Sequence, residues 1–136
     1  MSTREFVLDA VRRNQPAAKA LPEVPRFERP AKDLLASFTA ALARMGGVVV
    51  PAPPHISLDA FLAQRFPQAR VICSAALEVH GNRELATVNH PRELEDVDVG
   101  VVRAAFGVAE TGSVWLSERE FGINALGFLS QHLVVL

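Results

Sequence analysis

Val99-Gly100-Val101-Val102-Arg103-Ala104-Ala105-Phe106-Gly107-Val108-Ala109-Glu110-Thr111-Gly112-Ser113-Val114-Trp115-Leu116 is two apolar runs around a polar knot, Glu110 to Ser113. The β-branched and aromatic residues of Val99–Val102 and Val114–Leu116 predict a strand on each side. Thr111-Gly112 predicts a turn or bulge, because glycine takes a positive φ without steric cost. One carboxylate, two hydroxyls and a Cβ-free backbone then meet where two strands end or bend. Two readings of the knot stay open: a cradle for a small ligand, or an ordinary polar turn joining two core strands.

The segments around this stretch alternate between helix and strand patterns. Upstream, Val71-Ile72-Cys73 and Val48-Val49-Val50 are short continuous apolar runs, which predicts strands buried on both faces of a parallel sheet. Between them, Ser57 caps a helix with Leu58, Phe61 and Leu62 inward. A further helix is predicted from Pro30, with a stripe of Leu34, Leu35, Phe38, Ala41, Leu42 and Met45 and a stop at Gly46-Gly47. Leu77-Glu78-Val79 suits a short strand, His80 to Arg83 a loop, and Pro91 to Glu95 one helical turn. Downstream, Ile123 to Leu129 suits a short helix and His132 to Leu136 a last apolar strand that wants neighbours on both sides. Strand, helix and strand with short connections predict an α/β domain with a mostly parallel sheet and right-handed crossovers.

The N-terminal part differs. Ser2-Thr3-Arg4-Glu5 has the form of a capping box, and Phe6, Val7, Ala10 and Val11 fall on one face, predicting a helix over 3–13. Pro16, Pro22, Pro25 and Pro30 then mark a linker. The division expected is 1–29 for helix and linker and 30–136 for the α/β domain, with the first helix free to pack on another subunit.

Composition narrows the function classes. The chain has 136 residues, 49% of them apolar, and 14 basic against 15 acidic side chains for a net charge of −1. It is long enough for a core, and it has no basic field to attract nucleic acid. No run approaches the roughly 18 apolar residues of a membrane span. The start is amphipathic and does not resemble an apolar signal core, so a cytoplasmic location is expected. The lone Cys73 excludes an internal disulfide and any cysteine-only metal site, and reads as a small buried hydrophobe.

Motifs of general chemistry are missing. His55, His80, His90 and His132 show no metal-ligand spacing, and His80 reads as a surface residue. The chain has neither a phosphate-binding P-loop nor a dinucleotide fingerprint, and Ser74 lacks the glycine frame of a hydrolase nucleophile. Trp115 reads as core, and Glu118-Arg119-Glu120 as a solvated loop.

The segment Gly107-Val108-Ala109-Glu110-Thr111-Gly112-Ser113-Val114, followed by Phe128-Leu129-Ser130-Gln131-His132-Leu133, resembles the LUD-domain family, which includes the bacterial lactate-utilization protein C. Members carry a similar Ala-Glu-Thr-Gly-Thr/Ser segment before a strand and a Leu-Pro-x-x-His segment before the next; here Ser130 replaces the proline. The helix, proline-rich linker and helix–strand order upstream are also similar. Members usually continue into a Gly-Pro-Ser-x-Thr-Ala-Asp-Ile-like segment that these residues do not contain. The expectation is therefore a short member, a truncated one, or one that completes its site across a dimer.

The resemblance implies a three-layer α/β/α arrangement, like that of the CoA-transferase-like fold of CoA transferases and sugar-phosphate isomerases. It also implies a part in oxidising L-lactate to pyruvate beside iron–sulfur partner proteins, with no cofactor and no metal on this chain. On the favoured reading the chain is an accessory component that binds a small anionic organic ligand. Backbone N–H groups at Thr111, Gly112 and Ser113 would meet the anion. Arg103 would clamp a carboxylate or pair with Glu110, and His132 would join the ligand-binding set. Two alternatives remain. One is an acyl-transfer or isomerase-type enzyme with Glu110 as nucleophile or base. The other is a structural subunit in which Glu110 only secures the turn.

Overall fold

A computed structural model describes residues 2–25 and 33–136, and the chain divides into two compact units, Met1–Pro30 and Ala31–Leu136. In the first unit, α1 (Thr3–Arg13) starts at the capping box read from the sequence. Ser2 N donates to Glu5 Oε2 at 2.6 Å and Glu5 N to Ser2 Oγ at 3.3 Å, so two orphan amides of the first turn are satisfied. The residues that follow, to Pro25, form no helix or strand. None of the helix is buried: Phe6, Val7 and Val11 remain exposed.

The second unit begins its described part with Asp33. This residue caps α2 (Leu34–Arg44) by accepting from Ala36 N at 2.9 Å, so the helix opens at Asp33; Pro30 lies outside the described residues. Gly46, at φ +86°, turns the chain out of α2. The Val48–Val50 run then departs from expectation. It pairs with no strand, and its three side chains are 71%, 37% and 44% exposed. Apolar β-branched residues make a strand only where another strand supplies the ladder, and none pairs with this run among the described residues.

Three parallel strands form the sheet that carries the core. β1 (Ile72–Ser74) pairs with β2 (Val99–Val102) in the register Ile72 to Val99, and β2 pairs with β5 (His132–Val135) in the register Val99 to His132. Side chains of β2 alternate between two apolar clusters. Val99 and Val101 pack with Leu62 of α3 (Leu58–Arg65), Ala76 and Val79. Val102 packs with Cys73, Leu94, Val97 and Leu126 of α5 (Ala125–Leu129). All four residues of β2 are buried, as a central parallel strand requires. Gly100 is glycine for a local reason. A Cβ there would lie 2.5 Å from Ser130 Oγ and 3.1 Å from the Leu126 carbonyl, so the end of α5 could not approach β2. Ser130 in turn donates to that carbonyl.

The outer edge of β1 is closed by side-chain and loop contacts. Asn82 N and Arg83 N donate to the Ile72 carbonyl at 2.9 and 3.0 Å, and Ile72 N donates to Asn82 Oδ1 at 2.8 Å. Asp98 secures the start of the same strand, accepting from Arg70 N and Val71 N at 2.7 and 2.9 Å; these two amides hold its carboxyl below the usual range. Among the described residues, β5 has a strand on one side only.

A second, antiparallel pair stands apart from the parallel sheet. β3 (Phe106–Val108) and β4 (Ser113–Trp115) form a hairpin, so the polar knot joins β4 to β3 and not to the strand at Val99–Val102. Phe106-Gly107-Val108 carries too short a β signal beside its glycine to stand out by pattern. Three smaller expectations also change. Leu77–Val79 is a turn, with Leu77 almost fully exposed and Val79 buried. Glu118–Phe121 is a short helix, α4, capped by a second box in which Ser117 N donates to Glu120 Oε2 at 2.6 Å. Trp115 is not core: it is 57% exposed and stacks on Phe106, itself 55% exposed, at 5.9 Å between centroids.

Candidate functional site

The knot at Glu110–Ser113 is the corner of the hairpin, and its backbone is already occupied. Thr111 N and Gly112 N both donate to the Val108 carbonyl, at 3.3 and 2.9 Å, and Ser113 N donates to Thr111 Oγ1 at 3.3 Å. The three amides expected to meet an anion are thus spent inside the turn. Gly112 has a different task. It sits at φ +72°, and a Cβ would come within 2.3 Å of Leu42 N and 2.6 Å of the Ala41 carbonyl carbon. The hairpin corner rests on the backbone of α2, and only glycine permits that approach. Gly107 fits the same contact, with Phe38 Cε2 3.0 Å from where its Cβ would be. Glu110, Thr111 and Ser113 are exposed.

Arg103 stands elsewhere, immediately after β2 at the carboxyl end of the parallel sheet. Its guanidinium pairs with Glu78 Oε1 at 2.5 Å, with the two side chains 53% and 43% exposed. Glu78 belongs to the loop after β1, so the carboxyl ends of neighbouring strands supply the two charges. Arg103 holds the Glu78 carboxyl below the usual carboxylate range. Open α/β sheets bind ligands at this end of the strands. The hairpin separates this pair from the corner: chain leaving Arg103 enters at the Phe106–Trp115 end, and the corner lies beyond the Val108–Ser113 end.

His132 lies at the opposite end of the sheet. It opens β5 beside Val99, whereas Arg103 lies four residues beyond Val99, about 13 Å farther along at the rise of a strand. Its ring packs against Phe66 at 5.0 Å between centroids. The structure therefore places the sequence-derived candidates in three separate locations: Arg103 at the carboxyl rim, Glu110 to Ser113 at the hairpin corner, and His132 at the amino end of β5.

What the sequence reading missed is apolar. A cleft of about 650 Å³ is walled by Phe38 and Leu42 of α2, by Val48–Val50, by Gly107 and Val114 of the hairpin, and by Leu133 and Val135 of β5. Another of about 700 Å³ lies against Val48, Val50, Phe61, Phe66 and β5. The available signal was the Val48–Val50 run itself: three valines that find no strand to pair with leave apolar surface in the open.

Other polar groups form local pairs. Arg83 forks onto Asp96 at 3.1 and 2.8 Å and donates to the Glu93 carbonyl, and His80 Nδ1 lies 3.1 Å from Asp59 on the surface. The Cys73 thiol is buried, which raises its pKa and leaves it a poor nucleophile. No group of three or more His, Cys, Asp or Glu among the described residues could hold a metal ion, and no helix among them is long and apolar enough to cross a membrane. Comparison with protein-family models, with curated proteins and with solved structures gives no match to this chain.

Proposed function

We propose that the chain is an accessory component of organic-acid utilisation of the LUD type, which takes a small carboxylate at Arg103 while iron–sulfur partner proteins carry the electrons. The observation that supports this reading is the Arg103–Glu78 pair. It is a half-exposed guanidinium at the carboxyl end of a parallel sheet, holding a carboxylate that an incoming organic acid can replace. The exchange conserves charge and swaps one charge-assisted hydrogen bond for another, so it needs no rearrangement of the core. The helices that cover the two clusters of the sheet are also what the three-layer arrangement of the CoA-transferase-like fold would require.

In this reading Glu110, Thr111, Gly112 and Ser113 serve the architecture. Their spent amides and the Gly112 contact with α2 favour a corner that holds the hairpin in place over one that performs chemistry. Thermal unfolding with L-lactate and pyruvate tests the reading. A bound acid at 100 times its dissociation constant stabilises the fold by about 2.7 kcal/mol. That stabilisation is expected in the wild type and in Glu110→Gln, to disappear in Arg103→Ala, and to appear at lower acid concentration in Glu78→Gln, where the internal competitor is gone. An unchanged midpoint in the wild type, or full stabilisation of Arg103→Ala, refutes it.

A further inference from the structure

A recess of about 280 Å³ opens at the amino end of the parallel sheet, where α3 ends and β5 begins. Arg65, Phe66, Asp98, Gln131 and His132 line it. Three of them bring donors that the fold leaves unused. The Arg65 guanidinium and the Gln131 carboxamide make no hydrogen bond or ion pair with another described residue. The His132 ring packs on Phe66 and hydrogen-bonds to none of them either.

Asp98 brings the opposite charge to the same recess. Its Oδ2 accepts from Arg70 N and Val71 N, while Oδ1 accepts no hydrogen bond from a described residue. The Val71 and Arg70 amides, and then the charges of Arg70 and His132 nearby, hold this carboxyl below the usual range, so it is ionised at neutral pH. Arg65 and Asp98 thus line one recess with opposite charges and form no ion pair across it.

That arrangement selects among ligands. A simple anion answers Arg65 but meets the Asp98 charge and the negative end of the α3 dipole, since Arg65 is the last residue of that helix. A simple cation answers Asp98 but meets Arg65 and Arg70. A small molecule with both charges on adjacent groups satisfies each wall at once. The volume lies just below the range that holds drug-sized ligands, so the molecule is small, and the Phe66 ring offers its remainder an apolar wall.

We propose that this recess binds a small α-amino acid. The carboxylate lies on Arg65, Gln131 and His132, the ammonium on Asp98 Oδ1, and the side chain against Phe66. Arg103 stands at the other end of the strands, so this site does not depend on acid binding there.

The probe is L-alanine, with propionate and ethylamine as its two singly charged halves, titrated into the full chain and followed by nuclear magnetic resonance. Alanine should shift the side-chain resonances of Gln131 and His132 saturably. Each half should bind at least about tenfold more weakly, because each lacks one charged hydrogen-bonding end. Arg65→Gln and Asp98→Asn should each weaken alanine by at least about the same factor. Arg65 is an exposed residue, so its variant carries the test if Asp98→Asn, which also secures the Arg70 and Val71 amides, fails to fold. The proposal is overturned if alanine leaves Gln131 and His132 unshifted, or if Arg65→Gln binds it with full affinity. It is equally overturned if propionate matches alanine, which would make this a simple anion site, or if ethylamine does, which would make it a cation site.

Discussion

Val48–Val50 and Val99–Val102 are nearly the same text: short, uncharged and β-branched. Their fates are opposite. Val99, Val101 and Val102 are fully buried between two parallel neighbours, while Val48 remains 71% exposed. Nothing intrinsic to the residues separates them. β2 has Ile72–Ser74 on one side and His132–Val135 on the other, and each ladder bond positions the next. Val48–Val50 has no such partner among the described residues and contributes a wall where β2 contributes a core. Local composition measures a segment's capacity to pair; only neighbours convert that capacity into a strand.

The largest loss is expected at the buried strand. Val101→Asp puts a charge with no partner between β1 and β5, and should cost at least about 4 kcal/mol, enough to leave the second unit unfolded by circular dichroism. Retained cooperative unfolding would mean that β2 is less central than its burial indicates. The next effect concerns a residue that looks like surface and behaves like core. Gly112→Ala meets both a positive φ and the α2 backbone, and should cost about 2–4 kcal/mol in urea unfolding. A cost below that of an ordinary surface substitution would show that the hairpin corner does not rest on α2. The smallest effect is at the open end: Val48→Thr should change stability by no more than about 0.5 kcal/mol. A larger loss would mean that the Val48–Val50 run is covered in solution.

Much of the fold could be read from local signals. The Ser2–Glu5 capping box, the Ser57 cap, the Gly46 stop and the strands at Ile72, Val99 and His132 follow from side chains acting within a few residues of themselves. Where the structure departs from these local signals, the deciding contact is distant or the local signal short. Trp115 was expected in the core on its bulk, yet its place on a two-stranded hairpin leaves one face with only Phe106 to stack on. Arg103 could be marked as a candidate clamp from its position after a strand, but its pairing with Glu78 depends on how β1 and β2 align. The corner at Glu110–Ser113 was legible as a turn. That its amides are consumed within it was not, because the bonds depend on the Val108 carbonyl and on which strand pairs with β4.

Short-range periodicity, capping and the transfer of apolar side chains from water carry the α/β character, the caps of α1 and α3, the stop of α2, the Val99–Val102 strand and the burial of Cys73. The tertiary contacts set Arg103, the Glu110 corner and His132 apart, make glycine necessary at 112 beside α2, and leave Val48–Val50 unpaired among the described residues. Those outcomes rest on which strands become neighbours, and strand pairing is a contact between segments far apart in the chain, settled by mutual fit and not by the propensity of either one.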